Sequence, residues 1–395
     1  SIIALGFGLL GCPGSGGGGG VTFAITTTEA PFGVVGNAYS ATLVTTGGTA
    51  PLTWILVGGV LPTGLSLNAG TGVVSGTPTA AGNSTVTFTV TDSTGKTATG
   101  SVLFAVHPRT DRVSVDSSGA AGTGASSAPS INGDGSLVAF VSQSTNFVAT
   151  VFGTQVYVHN RQTNQIEVIS RDNNATTVNE GNGVSSAPSI SADGRFVGFV
   201  SLATTLLAPG PAVPAGQQIY VRDRQTGLTS LVSVDNNVTP NPGNGVSSAP
   251  TMSADGRFVA FVSLATTLLA PGPAVPAGQQ IYVRDRQTGL TSLVSVDNNV
   301  TPNPGNGVSS APTMSADGRF VAFVSLATTL LAPGPAVPAG QQIYVRDRQT
   351  GLTSLVSVDN NVAPNPGTGL SSAPSISADG RFVGFVSLAT TLLAP

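Results

Sequence analysis

Side chains able to serve as nucleophile, acid–base catalyst or metal ligand are scarce in these 395 residues. There is one cysteine, Cys12, two histidines, His107 and His159, and three glutamates, Glu29, Glu167 and Glu180. A lone cysteine forms no intrachain disulfide and excludes a zinc site built from several thiolates. The two histidines read as strand-end or surface residues. No G-x-S-x-G elbow with histidine and acid partners occurs, so hydrolysis through an activated serine has no motif to rest on. What does recur is Asp and Arg. An Asp-Gly pair stands at Asp134, Asp193, Asp255, Asp317 and Asp379, and Arg195, Arg222 and Arg224 repeat in register with it. Near-identical units place the same groups in the same surroundings, whereas a catalytic acid and base need different ones. The aspartates therefore read as turn formers, and the arginines as partners of acids or carbonyls at strand ends. Asp235-Asn236-Asn237 offers oxygens to calcium but lacks the acid density of a calcium loop, so a turn is expected there. No catalytic residue, metal site or cofactor is assigned.

Charge narrows the partners. Charged residues make up 8% of the chain and the net charge is −3, against about 25% charged in ordinary soluble domains. Lys96 is the only lysine. Nucleic-acid binding leaves a basic footprint, and none is present.

The elements that must position these residues are strands. Gly (51) and Pro (27) are abundant and favour turns, and the intervals between them hold strand formers such as VTFAITT, STVTFTVTD and RFVAFVS. Residues 1–11 (SIIALGFGLLG) are too short to span a bilayer, which needs about 20 residues. They fit the apolar h-region of an export signal. The run Leu9-Leu10-Gly11-Cys12 resembles the bacterial lipobox, which implies cleavage before Cys12, acylation of its thiol and sorting to the outer membrane or cell surface. Residues 12–20 then make a lipid-anchored, Gly-rich linker.

From 21 to 107 apolar and polar residues alternate between frequent turns. Candidate strands are 21–27, 39–45, 52–57, 72–75, 84–92 and 97–106. Val86, Phe88 and Val90 share one face and Thr85, Thr87 and Thr89 the other, as a half-buried sandwich strand requires. Trp54 is the only tryptophan and is expected in the core. The segment LPTGLSLNAGTGVVSGTPTAAGNSTVTFTVTDSTG (61–95) resembles the Ig-like, cadherin-like modules of bacterial surface proteins, which implies a spacer or adhesive unit. Calcium-binding relatives need clustered acids, and only Glu29 and Asp92 are acidic here.

Residues 111–395 repeat. The last three Asp-Gly intervals are each 62 residues, and 193–254 differs from 255–316 only at Gly198 against Ala260. In the second unit, strand a is expected at Pro188–Ser191, b at Phe196–Ser201, c at Gln218–Asp223 and d at Leu228–Val234. Strand b is apolar on both faces, so its sheet must be packed on both sides, as a propeller blade is. The segments SADGRFVAFVS (253–263) and QQIYVRDRQTGLTSLVSV (279–296) resemble the TolB-like propeller repeat. That resemblance implies that Arg112–Asp116 completes a C-terminal blade. The expected fold class is all-β: an Ig-like sandwich followed by a TolB-like propeller of four full blades and part of a fifth. The final LATTLLAP falls inside a b–c loop, which points to a fragment of a six- or seven-bladed ring, or to five blades lacking one strand c.

In such blades the b–c and d–a connections share one face. The b–c loop LATTLLAPGPAVPAG is apolar for an exposed segment, and its copies would form a patch of Leu206, Leu207, Pro209 and Val213, of Leu268, Leu269, Pro271 and Val275, and of Leu330, Leu331, Pro333 and Val337. The expected function is a non-catalytic envelope lipoprotein that binds a protein or glycan, or self-associates, through this face. The alternative is each loop packing on its own blade, in a structural or adhesive spacer without a specific ligand. A propeller hydrolase or lyase is the remaining reading.

Overall fold

The computed structural model describes residues 22–392 apart from 149–152, 175–178, 210–212, 214–215, 273–274, 277, 335–336, 338 and 362–364. The expected export signal, Cys12 and the linker to residue 20 lie outside the described residues. Every regular element described is a strand. The chain divides into two compact units, residues 1–111 and 112–395.

In the first unit, Gly33–Val34, Thr97–His107, Gly82–Thr91 and Thr53–Gly58 form one sheet in that order. Tyr39–Thr42, Val73–Gly76 and Leu65–Asn68 form a second, and Ala24–Ile25 pairs with Thr45–Thr46. The alternation of Gly82–Thr91 works as read. Val86, Phe88 and Val90 are wholly buried with Val102 and Phe104, and on the other face the Thr87 and Thr89 hydroxyls bond Ser101 and Thr99 at 2.9 and 2.8 Å. Trp54 lies in this core, 2% exposed. Gly72 crosses its indole with φ +68°, a place where a side chain has no room. Strands Gly33–Val34 and Leu65–Asn68 were not expected; one is two residues long and the other is half Ser and Asn.

The second unit is a series of four-stranded antiparallel sheets, each in the order a-b-c-d. Blade 1 is Ser126–Ile131, Leu137–Ser142, Gln155–Asn160 and Gln165–Val168. Blade 2 is Ser185–Ile190, Phe196–Ser201, Gln218–Asp223 and Leu228–Leu231. Blade 3 is Ser247–Met252, Phe258–Ser263, Gln280–Asp285 and Leu290–Leu293, and blade 4 is Ser309–Met314, Phe320–Ser325, Gln342–Asp347 and Leu352–Leu355. Ser371–Ile376 and Val383–Ser387 pair as a fifth, two-stranded sheet. Strand b of each sheet lies against strand a of the next, and successive a strands approach one another.

Burial on both faces of strand b follows from this stacking. Phe199 stacks on Tyr220 within blade 2 at 5.8 Å, and both share a core with Val141, Val156 and Val158 of blade 1. The Tyr220 hydroxyl donates to the Ala203 carbonyl at 3.1 Å, and burial pushes the phenol up to about 12. Strands b and c occupy the expected residues. Strand a starts earlier, at Ser185, because a bulge with Ala187 at φ +48° absorbs Pro188, which has no N–H for the ladder. Strand d stops at Leu231, and Val234 instead bridges Pro242.

Arg112–Asp116 leads into blade 1. Val115 bridges Ala121, and Asp116 accepts from Ser118 and Ala120 in a local turn. Its carbonyl accepts from Asn164 of blade 1 at 3.5 Å. The segment therefore stands as Val-Ser-Val-Asp (232–235) stands before blade 3, as the tail beyond a d strand.

Candidate binding face

Polar side chains stitch each blade to the next and so fix where the loops emerge. Asn236, after strand d of blade 2, presents its amide like a strand end. Its Oδ1 accepts from the Thr291 N–H at 2.6 Å and its Nδ2 donates to the Thr291 carbonyl at 2.9 Å. Asn298 does the same to Thr353. The Arg284 guanidinium reaches the Asp235 carbonyl at 3.1 Å and the Thr291 hydroxyl at 3.0 Å. Asp235 itself is consumed by its turn, accepting from Asn237 and Asn241. Burial alone would raise its pKa, but these bonds outweigh it and hold the carboxyl below its usual value. The expected turn is thus what the Asp-Asn-Asn run makes.

On the a–b and c–d side the expected arginine pairing holds. Arg195 grips Asp223 with two bonds of 3.0 and 2.7 Å, and this pulls the Asp223 pKa down to about 2. Arg224 pairs with Glu167 of blade 1. The later copies differ: Phe196 lies between Arg195 and Arg286, whose guanidinium carbons stand 4.7 and 4.3 Å from its ring centre. Blade 1 has Leu137 at that place, and an ion pair substitutes for the ring contact. A backbone bond runs from turn to turn as well, Ala192 N–H to Ala254 O and Ala254 N–H to Ala316 O.

The opposite side is uncharged across blades 2–4. From Leu202 onward, the b–c and d–a connections of blades 2–4 carry no Lys, Arg, His or Glu, and their only acids are the buried Asp235, Asp297 and Asp359. The structure sorts the expected apolar residues into two sets. Leu206, Leu268 and Leu330 are fully buried, and Val213, Val275 and Val337 nearly so. Leu207, Leu269 and Leu331 pack partly buried against the same cores, while Pro209, Pro271 and Pro333 are exposed. The expected patch is corrected accordingly: the loop leucines fill the gap between their own blade and the preceding connection, where Gly181, Gly243 and Gly305 let them approach. A ligand does not reach Leu206.

A different apolar set faces solvent. Leu202, Leu264 and Leu326 follow strand b, and Val184, Val246 and Val308 precede strand a. Leu264 is 47% and Val246 45% exposed, against 0% for Leu268. Leu264 N–H donates to Val246 O at 3.0 Å, and Leu202 and Leu326 bond Val184 and Val308 in the same way, so each of blades 2–4 presents one Leu–Val pair between strands a and b. Asn244 holds the pair's two loops together through Thr266. Val238 and Val300 stand fully out at the tips of the d–a connections. The signal for these residues was the leucine directly after each FVS strand end. It was hidden by the more conspicuous Leu-Leu four residues later.

Residues 21–107 match the family described as putative Ig domain. Among solved structures, a putative TolB of Agrobacterium tumefaciens is 14% identical, covering 78% of this chain and 87% of its own, with a TM-score of 0.39. An acylaminoacyl peptidase of Pyrococcus horikoshii is 15% identical over 67% of this chain and 35% of its own, with a TM-score of 0.38. A periplasmic gluconolactonase of Pseudomonas aeruginosa is 17% identical over 86% and 76%, with a TM-score of 0.33. The comparison with curated proteins found no match. The class is an all-β protein in which an Ig-like module is followed in sequence by a series of four-stranded antiparallel blades. Similarity at this level carries no chemistry across.

Proposed function

We propose that the chain is an exported, non-catalytic scaffold that binds a protein partner through the uncharged b–c and d–a face of its blades. The observation that carries this reading is the row of three half-exposed Leu–Val pairs, one in each of blades 2–4, on a side free of exposed charge across those blades. Aliphatic pairs repeated at one height suit an extended apolar contact, and the polar Asn and Thr between them suit its rim. The non-catalytic part is supported by structural use of the repeated acids: Asp223 and Asp235 spend both oxygens on arginine or turn bonds, and Asp193 accepts two bonds in its turn. Export and lipid anchoring are supported by the apolar run ending at Cys12, and acyl labelling lost in Cys12→Ser is the expected result.

A photo-crosslinking residue placed at Leu264 tests the face, with Gln287 on the opposite side as control. In cells of the source organism, position 264 should give an adduct of one defined mass, lost when Leu202 and Leu326 become Asp. No adduct, or equal adducts from both positions, favours the spacer instead.

A further inference from the structure

Strand Thr53–Gly58 stands at the end of its sheet and pairs there with Gly82–Thr91 alone. Its outer edge is open at one residue. Trp54 N–H points away from the partner strand and donates to Ala69 O at 2.8 Å. Backbone direction alternates along a strand, so the N–H and carbonyl of Leu56 point the same way. Among the described residues neither has a hydrogen-bond partner. A register shift between Leu56 and Gly58 interrupts the ladder at Val57, so the open stretch is short.

Around this backbone pair the surface is aliphatic. Val60 is 78% exposed, Ile55 and Val57 are each 51% exposed, and Leu56 is 39% exposed. Edge strands are ordinarily blunted by Lys, by Pro or by an inward-pointing charge, and none of these occurs between Thr53 and Val60. Charge is absent from a much longer stretch, since residues 30–91 contain no Asp, Glu, Lys, Arg or His.

That neutrality decides the occupant. Across a two-fold axis a strand meets its own residues, so any charge near the axis faces a like charge and repels the copy. Here there is none. An axis at Leu56 lets the Leu56 N–H of each copy donate to the Leu56 carbonyl of the other, as in the bonded pairs of an antiparallel ladder. It also sets Ile55 of one copy against Val57 of the other. One symmetric contact thus uses both the free backbone groups and the aliphatic side chains beside them.

We propose that strand Thr53–Gly58 is a homodimer interface, in which a second copy of this chain pairs antiparallel about Leu56. The interface rests on residues of the first unit and is independent of the Leu–Val row.

The test is sedimentation velocity over a range of concentrations on the full chain carrying Cys12→Ser, so that no acyl group drives association. Amide exchange is followed in the peptide that holds Leu56. A monomer–dimer equilibrium is expected, with exchange at Leu56 slowing as the dimer fills. Leu56→Pro removes the N–H from the open edge without removing a bond to Gly82–Thr91. Ile55→Lys with Val57→Lys places like charges across the axis. Each change should raise the dimer dissociation constant about ten-fold or more, with the fluorescence of the buried Trp54 unchanged as the check on folding. Leu202→Asp with Leu326→Asp should dimerise as the parent does. A monomer at every concentration, a dimer indifferent to both strand variants, or a dimer lost only with Leu202 and Leu326 overturns the proposal. None of these outcomes bears on the adduct at position 264, which reports the blade face alone.

Discussion

Asp223 illustrates how much a repeated residue depends on a partner the sequence does not point to. Arg195 and Asp223 lie 28 residues apart across a long loop, and only the antiparallel register of strands b and c sets Phe196 against Asp223. The folded carboxyl titrates near 2, below the ~3.9 of an unfolded aspartate. Asp285 and Asp347 shift in the same direction, through Arg257 and Arg319. A depressed folded pKa contributes stability that is present above the unfolded value and lost as pH falls through the folded one. Melting temperature should therefore drop between about pH 4 and pH 2. In the triple variant Asp223→Asn, Asp285→Asn, Asp347→Asn the drop over that window should be smaller. Parallel curves for the two proteins would show that these pairs are not its source.

Loop and strand assignments were legible where composition decides them and illegible where neighbours do. Strands b and c were readable to the residue because their apolar runs end in a turn. The two leucine sets of each b–c loop were not separable, since Leu264 and Leu268 are chemically the same and differ only in what packs over them. Their mutational behaviour should separate them. Leu268→Ala should cost about 2–5 kcal/mol, and Leu264→Ala about 0.5 kcal/mol or less, both by denaturant unfolding. Equal costs would contradict the sorting of these residues into core and surface. The asparagine clamp makes a second test. Asn236→Ala leaves the Thr291 N–H and carbonyl without their partner, so a loss of about 1–3 kcal/mol is expected, with faster hydrogen exchange at the Thr291 amide. Exchange unchanged at Thr291 would mean the clamp carries no load between blades 2 and 3.

The whole chain offers a built-in reporter, because its only tryptophan, Trp54, sits in the core of the first unit. Fluorescence should follow the sandwich alone, while far-ultraviolet circular dichroism follows both units. Leu268→Ala is expected to move the dichroism transition and leave the Trp54 transition in place. A joint shift would mean that the two units unfold as one. By itself the sequence determined the class of fold, the two-unit division, the blade strands and the turn role of Asp-Gly, because periodicity, repeats and turn chemistry are local and recur. Tertiary packing alone decided which leucines of the apolar loop reach solvent and which arginine meets which acid. Burial and pairing are set by residues distant along the chain, 28 away for Arg195 and Asp223 within one blade and 57 away for Arg224 and Glu167 across two.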